Sequence, residues 1–465
     1  MNTKSSFRSK YIGDRAFYSR VIRLALPMIA QNAITSFVSF LDNIMVGMIG
    51  TEQMSGVAIV NQLLFVFNLC IFGGLSGAGI FGTQFYGKGD YEGQRYAHRF
   101  KVLISAFITV VALLLFTGAG TNLIQLYLSD SGDVGNVELA LQYGLQYLSI
   151  MMIGLIPYTI GQTYVSSIRE CGHTLIPMVA GMAAMITNLI LDYVLIFGFG
   201  PIPTMGVQGA AIATVIARFV ECIIILVWTH SHKEENPYIV GAYRSVYIPK
   251  NILKDILVKG TPLMLNEMFW AAGVAAIAQC YAVRGLEVVA AQNISSTISN
   301  LFNVVYLQLG GCIAIVVGHS LGAGKIEEAK DLQRKMTFFS VACCAVMSVF
   351  MILVGRVFPN LYATEESIKE LARTFITISA VVMPICAYCH CSYFTLRSGG
   401  KTVITFLFDS VYSWFVVIPV GTFLAKYTTL PIALVFFLVQ SLEFAKAIIG
   451  YFMIKSGSWL QNIVE

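Results

Sequence analysis

The chain has 465 residues, of which 57% are hydrophobic and only 12% are charged. Soluble proteins carry roughly 25% charged residues, so this composition excludes a soluble globular protein and predicts a membrane protein. The net charge of +5 follows from an uneven distribution of Lys and Arg between loops, and it therefore indicates no nucleic-acid partner.

Twelve apolar segments found with windows of about 19 residues are each long enough to cross a bilayer. Lipid cannot satisfy the open edge of a strand, so each segment is predicted to be a helix. The predicted fold class is an all-α polytopic membrane protein with twelve transmembrane helices. The segments lie near residues 24–48, 54–81, 100–119, 138–161, 174–198, 207–229, 256–281, 288–317, 336–355, 368–393, 402–424 and 431–454.

The first apolar segment contains one charged residue, Asp42, and a proline near its start, Pro27. Proline removes a backbone donor, so Pro27 is predicted to be a hinge in this helix. The apolar run is too long for the core of a signal peptide, and we expect it to remain as an anchor. It follows a tail with four basic residues, Lys4, Arg8, Lys10 and Arg15.

The distribution of basic residues predicts the orientation in the membrane. The two tails and the loops after even-numbered helices hold 23 of the 30 Lys and Arg residues. Both termini are therefore expected in the cytoplasm, and the basic connector between the halves is expected to lie against anionic headgroups. The predicted divisions are a basic tail (1–23), a first lobe (24–229), a connector (230–255), a second lobe (256–455) and a C-terminal tail (456–465).

An internal repeat divides the chain into halves of six helices each. Pro27 to Asn32 stands in register with Pro262 to Glu267, and further along the chain Thr174 pairs with Thr402. Because six is even, the second half enters the membrane from the same side as the first. The two lobes are thus expected to be related by a pseudo-two-fold axis along the membrane normal.

Five short motifs are spread along the first half of the chain: Pro27 with Asp42, the Gly-x-Gly loop at Gly87, Arg169-x-x-Gly172, Asn188-x-x-x-Asp192, and the Gly209 to Arg218 stretch with Thr214. Together they resemble the multidrug and toxic compound extrusion (MATE) transporters, and the resemblance covers nearly the whole chain. It implies a two-lobed, twelve-helix antiporter that exports organic, often cationic, compounds in exchange for Na⁺ or H⁺. It also implies a bacterial inner-membrane protein, small organic substrates and no cofactor besides the coupling ion; we also expect a monomer.

Four polar residues of the first half are predicted to share one depth in the membrane. Asp42 and Asp192 each lie about six residues from the outer end of their helix, roughly 9 Å below the surface at 1.5 Å per residue. Asn188 lies one turn deeper than Asp192, and Thr214 reaches a similar level. These groups suit a Na⁺ site or a carboxyl pair that holds a proton. The alternative is that they only connect helices 1, 5 and 6 by hydrogen bonds.

Second-half candidates for contact with substrate are Glu267, with Trp270 one turn away, and Trp414 and Asp409 of helix 11. A cationic substrate suits an acid beside an aromatic ring, whereas a glutamate that only hydrogen-bonds between helices is an equal alternative. Some MATE subgroups place an acid in helix 10 as well. In this chain helix 10 has no acid after Glu370 at its start, and this departure from the pattern leaves a second-lobe Na⁺ site unsupported by the resemblance.

Two i, i+3 pairs of opposite charge lie within helices, Arg218 with Glu221 and Glu443 with Lys446, and each is predicted to neutralise itself. Arg218 and Lys446 are the basic residues assigned to helix interiors, so a flippase for lipid-linked sugars, the main alternative function, would find little charge for a pyrophosphate. An enzyme is not expected, since the histidines lack catalytic partners. The Cys-x-x-Cys-His stretch at 386–390 matches the pattern for covalent haem attachment. Short patterns of this kind often match by chance, and we do not expect a haem here.

Overall fold

A computed structural model describes residues 10–130, 136–362 and 364–464. The first nine residues of the predicted basic tail, with Lys4 and Arg8, and the last residue of the chain lie outside the described residues. The described chain is helical throughout; its extended pairing is limited to one isolated bridge, between Phe199 and Ile202.

Twelve helices are long and apolar enough to cross a membrane, which confirms the predicted all-α class and number of spans. They are α1 (Arg15–Gly47), α2 (Thr51–Lys88), α3 (Tyr91–Asp130), α4 (Val137–Glu170), α5 (Leu175–Phe197), α6 (Gly206–Ser231), α7 (Lys250–Ala282), α8 (Leu286–Gly322), α9 (Ile326–Val357), α10 (Glu366–Ser398), α11 (Thr402–Tyr427) and α12 (Ile432–Lys455).

Most helices extend beyond their apolar segments. Helix α3 begins at Tyr91 and reaches Asp130, whereas the hydropathy of the sequence predicts a span only near 100–119. A hydropathy window detects the apolar middle of a helix, while its polar ends continue with the same backbone hydrogen bonds. One consequence is that Lys101, at the very start of the predicted span, lies fully buried two turns and more inside α3.

The described chain divides into two compact units. The first-half unit contains Leu26–Gly82 and Tyr91–Lys254. The second-half unit contains the residues up to Ala25, the segment Thr83–Asp90 and the chain from Asp255 onward. Three helices therefore change unit along their length: α1 next to Pro27, α2 after Gly82, and α7 between Lys254 and Asp255, close to its start.

Close helix contact in the first-half unit depends on small residues. A methyl group on Gly56 of α2 would lie 2.5 Å from the carbonyl oxygen of Ala140 and 2.8 Å from the backbone nitrogen of Gly144, both on α4. Only glycine permits this approach of two backbones. The contact places the next turns of α2 and α4 side by side.

The connector between the halves is fixed to α3 of the first-half unit. Arg99 donates hydrogen bonds to the backbone carbonyls of Ala242 (2.7 Å), Tyr247 (2.9 Å) and Gly241 (3.0 Å). Tyr238 is completely buried beneath the same segment, and burial raises the pKa of its phenol well above the ordinary value. The connector is thus an ordered cap on its own unit.

The C-terminal tail packs into the second-half unit. Trp459 is 1% exposed, and its backbone oxygen lies where a side chain on Gly399 would be. Gln84, at the end of α2, donates to the backbone oxygens of Ser398 (2.8 Å) and Gln461 (3.2 Å). The tail therefore connects the end of α2 with the end of α10.

Candidate functional site

Asp192 and Asn188 lie on one face of α5, a helix that is otherwise almost entirely apolar. Their side chains are buried, with 1% and 4% of the residue surface exposed. Both oxygens of Asp192 and both polar atoms of the Asn188 amide lack a hydrogen-bond partner among the described residues. Each unpaired buried polar atom costs about 1–3 kcal/mol, so four on one helix turn are a strong indication of a ligand site.

Asp42 of α1 faces this turn. Its carboxyl group and that of Asp192 are close electrostatic neighbours. Two ionised carboxylates have only acceptor atoms, which explains why the oxygens of Asp192 can be adjacent to Asp42 and still lack a partner. The contact becomes favourable when a proton or a cation lies between the two groups.

Thr214 of α6 completes the predicted set from another helix. Its hydroxyl donates to the backbone carbonyl of Ala210 at 3.0 Å, which leaves the oxygen lone pairs as acceptors. Tyr147 of α4 interacts with the Thr214 side chain through its hydroxyl and lies within electrostatic range of Asp42 and Asp192. The structure thus brings together all four predicted residues of the first half.

Tyr147 and its partner on α2 were not identified from the sequence. The Tyr147 side chain is buried, and its hydroxyl donates to the Asn61 side-chain oxygen at 3.4 Å. A tyrosine in an apolar helix gives no distinct signal, because most such residues pack in cores. Asn61, a lone amide in the second apolar segment, was the available clue.

Arg218 lies one turn beyond Thr214 on α6 but does not form the predicted pair with Glu221. Within the described residues its guanidinium donates to the backbone carbonyl of Gly154 at 3.3 Å and lies over the ring of Tyr158, 5.0 Å from the centroid. No ion pair within 4.0 Å joins Arg218 and Glu221 in that part of the chain. Arg218 and Glu221 remain electrostatic neighbours, so mutual neutralisation stays a prediction, while a backbone carbonyl and an aromatic face are the direct partners of Arg218.

The second-half candidates separate into two groups. Glu267 of α7 accepts a hydrogen bond from the Tyr393 hydroxyl at 3.5 Å, and the Arg397 charge lies nearby. Trp270 is 41% exposed on the same helix. Trp414 instead donates its indole N–H to the backbone oxygen of Phe269 at 2.9 Å, so its ring is fixed against α7.

Asp409 is bound by other side chains of its own half. One carboxylate oxygen lies 2.8 Å from the Lys446 ammonium, and the other accepts from the Asn266 amide at 3.1 Å. The predicted pairing of Lys446 with Glu443 on α12 was thus wrong, since the lysine forms its ion pair with α11. Asp409 was predicted as a candidate for contact with a cationic substrate, and in the structure its charge is already balanced by Lys446.

The Cys-x-x-Cys-His stretch lies inside α10. All ten cysteines of the chain are free thiols. His390 lies 2.9 Å from the backbone oxygen of Cys386 and packs on Tyr306, with 4.6 Å between ring centroids. Within the described residues no group of three or more His, Cys, Asp or Glu side chains is arranged to hold a metal ion.

Comparison with known proteins gives consistent matches. A family model described as MatE matches residues 27–194 and 262–423, once in each half. A probable multidrug resistance protein NorM of Thermotoga maritima is 24% identical over 408 residues, covering 88% of this chain and 85% of the relative. The multidrug resistance protein MdtK of Pectobacterium atrosepticum is 24% identical over 405 residues, or 86% of each chain. A crystal structure of MATE in complex with MaL6 has a similar fold, with a TM-score of 0.84 at 19% identity, covering 98% of this chain and 99% of that one.

Proposed function

The chain belongs to the MatE family of multidrug and toxic compound extrusion transporters, and from this premise we propose that it exports small organic compounds in exchange for Na⁺ or H⁺. Family membership makes it a transporter and not an enzyme, and the twelve spans make it a multi-pass membrane protein. Its relatives with related sequences include multidrug resistance proteins of bacteria. Export of drugs across the bacterial inner membrane is therefore the activity that these observations support best.

One observation carries the coupling assignment: the buried acids Asp42 and Asp192 are neighbours, and Asp192 and Asn188 have four polar atoms without partners among the described residues. A structural role would leave such atoms hydrogen-bonded to the adjacent helices, as most buried polar groups are. A binding role leaves them available. The arrangement therefore supports reversible uptake of a positive charge at this point.

Uptake of the charge changes how the helices can pack. With both acids ionised, their repulsion separates α1 from α5; a proton or Na⁺ between Asp42 and Asp192 removes that repulsion. For exchange, the ion must bind one conformation more tightly than the other, because equal affinity shifts no equilibrium. The Asp42–Asp192 contact joins two helices and is thus suited to differ between conformations.

The donor set fits a hard monovalent cation. Two carboxylates, the amide oxygen of Asn188 and the hydroxyl of Thr214 are all oxygen ligands, the type that hard cations prefer. Bound Na⁺ would supply the positive charge that pulls α1, α5 and α6 together. The same carboxyl pair also serves for a proton, and either ion fits this coupling scheme.

Pro27 supports alternating access through α1. This helix passes from one compact unit to the other between Ala25 and Leu26, directly beside Pro27. Proline lacks the donor for the backbone bond to the preceding turn, so the helix is weakest there. We assign Pro27 as the hinge through which a change at Asp42 reaches the other end of the helix.

The residues of the second half favour cationic or amphipathic substrates. Glu267 provides an acid, and the exposed Trp270 provides a ring face for a flat cation. The flippase alternative needs basic groups for a pyrophosphate. The basic groups predicted inside helices are already engaged within their own halves, Arg218 by a backbone carbonyl and Tyr158, and Lys446 by Asp409.

Proteoliposomes with imposed gradients test this function. We expect export of a cationic dye to be driven by a Na⁺ or an H⁺ gradient, applied separately, and an anionic dye to be transported poorly. Asp42→Asn and Asp192→Asn are expected to reach the membrane and bind dye but to lose gradient-driven export by at least about tenfold, since each removes one charge of the pair. Near-parental export by both variants at equal expression would assign the acids to helix packing alone.

A further inference from the structure

A buried ion pair joins α11 and α12 in the second-half unit, and the proposed transport cycle does not use it. The Asp409 carboxylate and the Lys446 ammonium lie 2.8 Å apart, with 18% and 6% of their side-chain surfaces exposed. Taking two charges out of water is costly, and replacing such a pair by apolar residues often stabilises a protein. The pair therefore calls for an explanation beyond stability.

The backbone around Asp409 is unusual. Leu407–Val411 and Ser413–Val417 are π-helical, within a helix that is α-helical at both ends. Such segments are rare and occur frequently at functional sites. Here two adjacent side chains bind the same partner: Asp409 accepts from the Asn266 amide at 3.1 Å, and Ser410 donates to the Asn266 side-chain oxygen at 2.7 Å.

The second carboxylate oxygen of Asp409 and the amide of Asn266 are thus fixed to each other, and the first carboxylate oxygen is the fixed point that faces α12. Asn266 is 2% exposed, and its amide also donates to the Tyr393 hydroxyl at 3.1 Å. The Lys446 ammonium fills this point from α12 and lies over the Phe408 ring, 5.4 Å from its centroid. A buried carboxylate that the Asn266 amide holds in place, with a single positive charge against its other oxygen, is a point that binds one monovalent charge.

The internal repeat identifies the first-half residues that match Asn266 and Asp409, and these carry no ion pair of this kind. The register that aligns Pro27 with Pro262 also matches Gln31 with Asn266. The register that aligns Thr174 with Thr402 matches Gly181 with Asp409. The structure agrees, because a methyl group on Gly181 would lie 3.6 Å from the Gln31 side chain.

The matching position of the lysine carries the opposite charge. The register that aligns Arg218 with Glu443 pairs Glu221 with Lys446. The second half therefore carries an acid and a base together, at Asp409 and Lys446, where the first half has a glycine and an acid.

The two acids proposed for coupling, Asp42 and Asp192, differ between the halves in the opposite sense. In the register of the two prolines, Asp42 matches Ile277, so the second half has no acid at that place. Among the described residues, the first-half pair of Asp42 and Asp192 has no basic side chain within ion-pair distance, whereas Asp409 of the second half has Lys446.

We propose that the Asp409 carboxylate, positioned by Asn266 and the π-helical turn of α11, is a monovalent cation site, and that the Lys446 ammonium occupies it as a tethered cation. The second half then keeps its charge balance through the whole cycle and takes up no ion from solution. This inference concerns a site separate from Asp42 and Asp192. It assigns Lys446 as the residue that restricts ion exchange to the first half.

Removal of the tethered charge tests the proposal. Lys446→Met leaves the Asp409 carboxylate buried without its counter-ion, so a cation from solution is expected to take its place. All variants carry Asp192→Asn, which disables the first-half pair. Thermal unfolding of the purified protein is measured in sodium chloride and in choline chloride at equal ionic strength and mildly alkaline pH, where a carboxylate is ionised.

We expect sodium to raise the melting temperature of D192N/K446M by about 3 °C more than that of D192N alone, for a cation at roughly one hundred times its dissociation constant. The matched control D192N/D409N/K446M lacks the carboxylate and is expected to lose this gain. Equal sodium responses of D192N and D192N/K446M would overturn the proposal. So would a stabilisation that appears on acidification equally in both salts, because a proton would then replace the ammonium.

A folding defect of K446M remains informative. If the variant aggregates in choline chloride, sodium chloride is expected to recover it, while the D409N/K446M pair folds in either salt. Aggregation in both salts beside a folded D409N/K446M protein would show that no free cation can replace the ammonium, which contradicts the proposed site. Because every variant retains Asp192→Asn, these outcomes do not depend on whether the first-half acids couple transport.

Discussion

Lys101 of α3 and Glu170 of α4 form an ion pair inside the first-half unit, with the lysine side chain fully buried and the glutamate 7% exposed. The lysine also donates to the Ser167 hydroxyl at 3.2 Å. Helix α2 contributes Gly82 at the same point, where a methyl group would lie 2.1 Å from a Glu170 carboxylate oxygen. The ion pair thus joins α3 to α4, and α2 can approach it closely because Gly82 has no side chain.

Glu170→Gln is expected to destabilise the protein by about 3–5 kcal/mol, because it leaves the Lys101 ammonium buried without a counter-ion. The double variant Lys101→Met/Glu170→Leu removes both charges and is expected to recover most of the loss. Thermal unfolding in detergent at constant salt measures both. A single variant as stable as the parent would show that the pair contributes nothing to the fold.

Gly56→Ala is expected to lower the free energy of unfolding by about 1–3 kcal/mol. The added methyl group meets backbone atoms of α4, which cannot turn aside as a flexible side chain could. The same change also separates Asn61 from Tyr147. Gly118→Ala is the matched control, because Gly118 lies in α3 with no atom within 4 Å of the added carbon. There the substitution is expected to be neutral or slightly stabilising. Equal melting temperatures of the two variants would contradict this account of the contact.

The sequence predicted the number and type of the helices but not their ends. Apolar length identifies a membrane span whatever its neighbours, so twelve spans follow from composition. Apolar length does not locate the start of α3, because Lys101 near that end is charged and yet buried. Its partner Glu170 is 69 residues away, and nothing in the spacing of the chain indicates their contact.

For the candidate site, depth was predictable and partner choice was not. Counting residues from helix ends placed Asp42 and Asp192 at one level, and the structure makes them neighbours. The partner of Lys446 was mistaken because i, i+3 spacing favours Glu443, whereas the π-helical turn of α11 presents Asp409 instead. Sequence patterns assume regular helices, and π-helical turns change which side chains meet.

Tyr147→Phe is expected to preserve the fold and to reduce gradient-driven export several-fold, because it removes the hydroxyl beside Asp42, Asp192 and Thr214. Tyr158→Phe is the control on the same helix, since phenylalanine keeps the ring face beneath Arg218. Transport in proteoliposomes, with thermal unfolding as a check of folding, measures the difference. If both variants transport at the parental rate, the Tyr147 hydroxyl has no part in coupling.

Gln84→Ala is expected to release the C-terminal tail. The Gln84 side chain donates to two backbone oxygens and accepts from the backbone N–H of Ile463 at 2.9 Å. Loss of these buried bonds is expected to raise hydrogen exchange of the Ile463 amide by at least about tenfold. Gln62→Ala, at an exposed position of the same helix, is expected to leave that exchange unchanged. Unaltered protection in Gln84→Ala would mean that Trp459 alone holds the tail.

Pro27→Ala is expected to slow transport more than Pro262→Ala, although the repeat makes the two prolines equivalent in sequence. Both lie inside long helices, and in both an alanine supplies the backbone donor that proline lacks, which strengthens the turn by up to about 3 kcal/mol. The two prolines differ in their distance from the boundary between the two compact units. Helix α1 passes from one unit to the other beside Pro27, whereas the boundary in α7 falls between Lys254 and Asp255, well before Pro262.

A stiffened turn hinders motion only where the two ends of a helix belong to bodies that move separately, which is what the proposed alternating access requires at Pro27. Dye export at equal expression, together with dye affinity in detergent, separates motion from binding: Pro27→Ala is expected to bind dye normally and to export it slowly. If Pro262→Ala is impaired equally, the effect comes from helix stiffness in general, and the assignment of the hinge to the unit boundary is wrong.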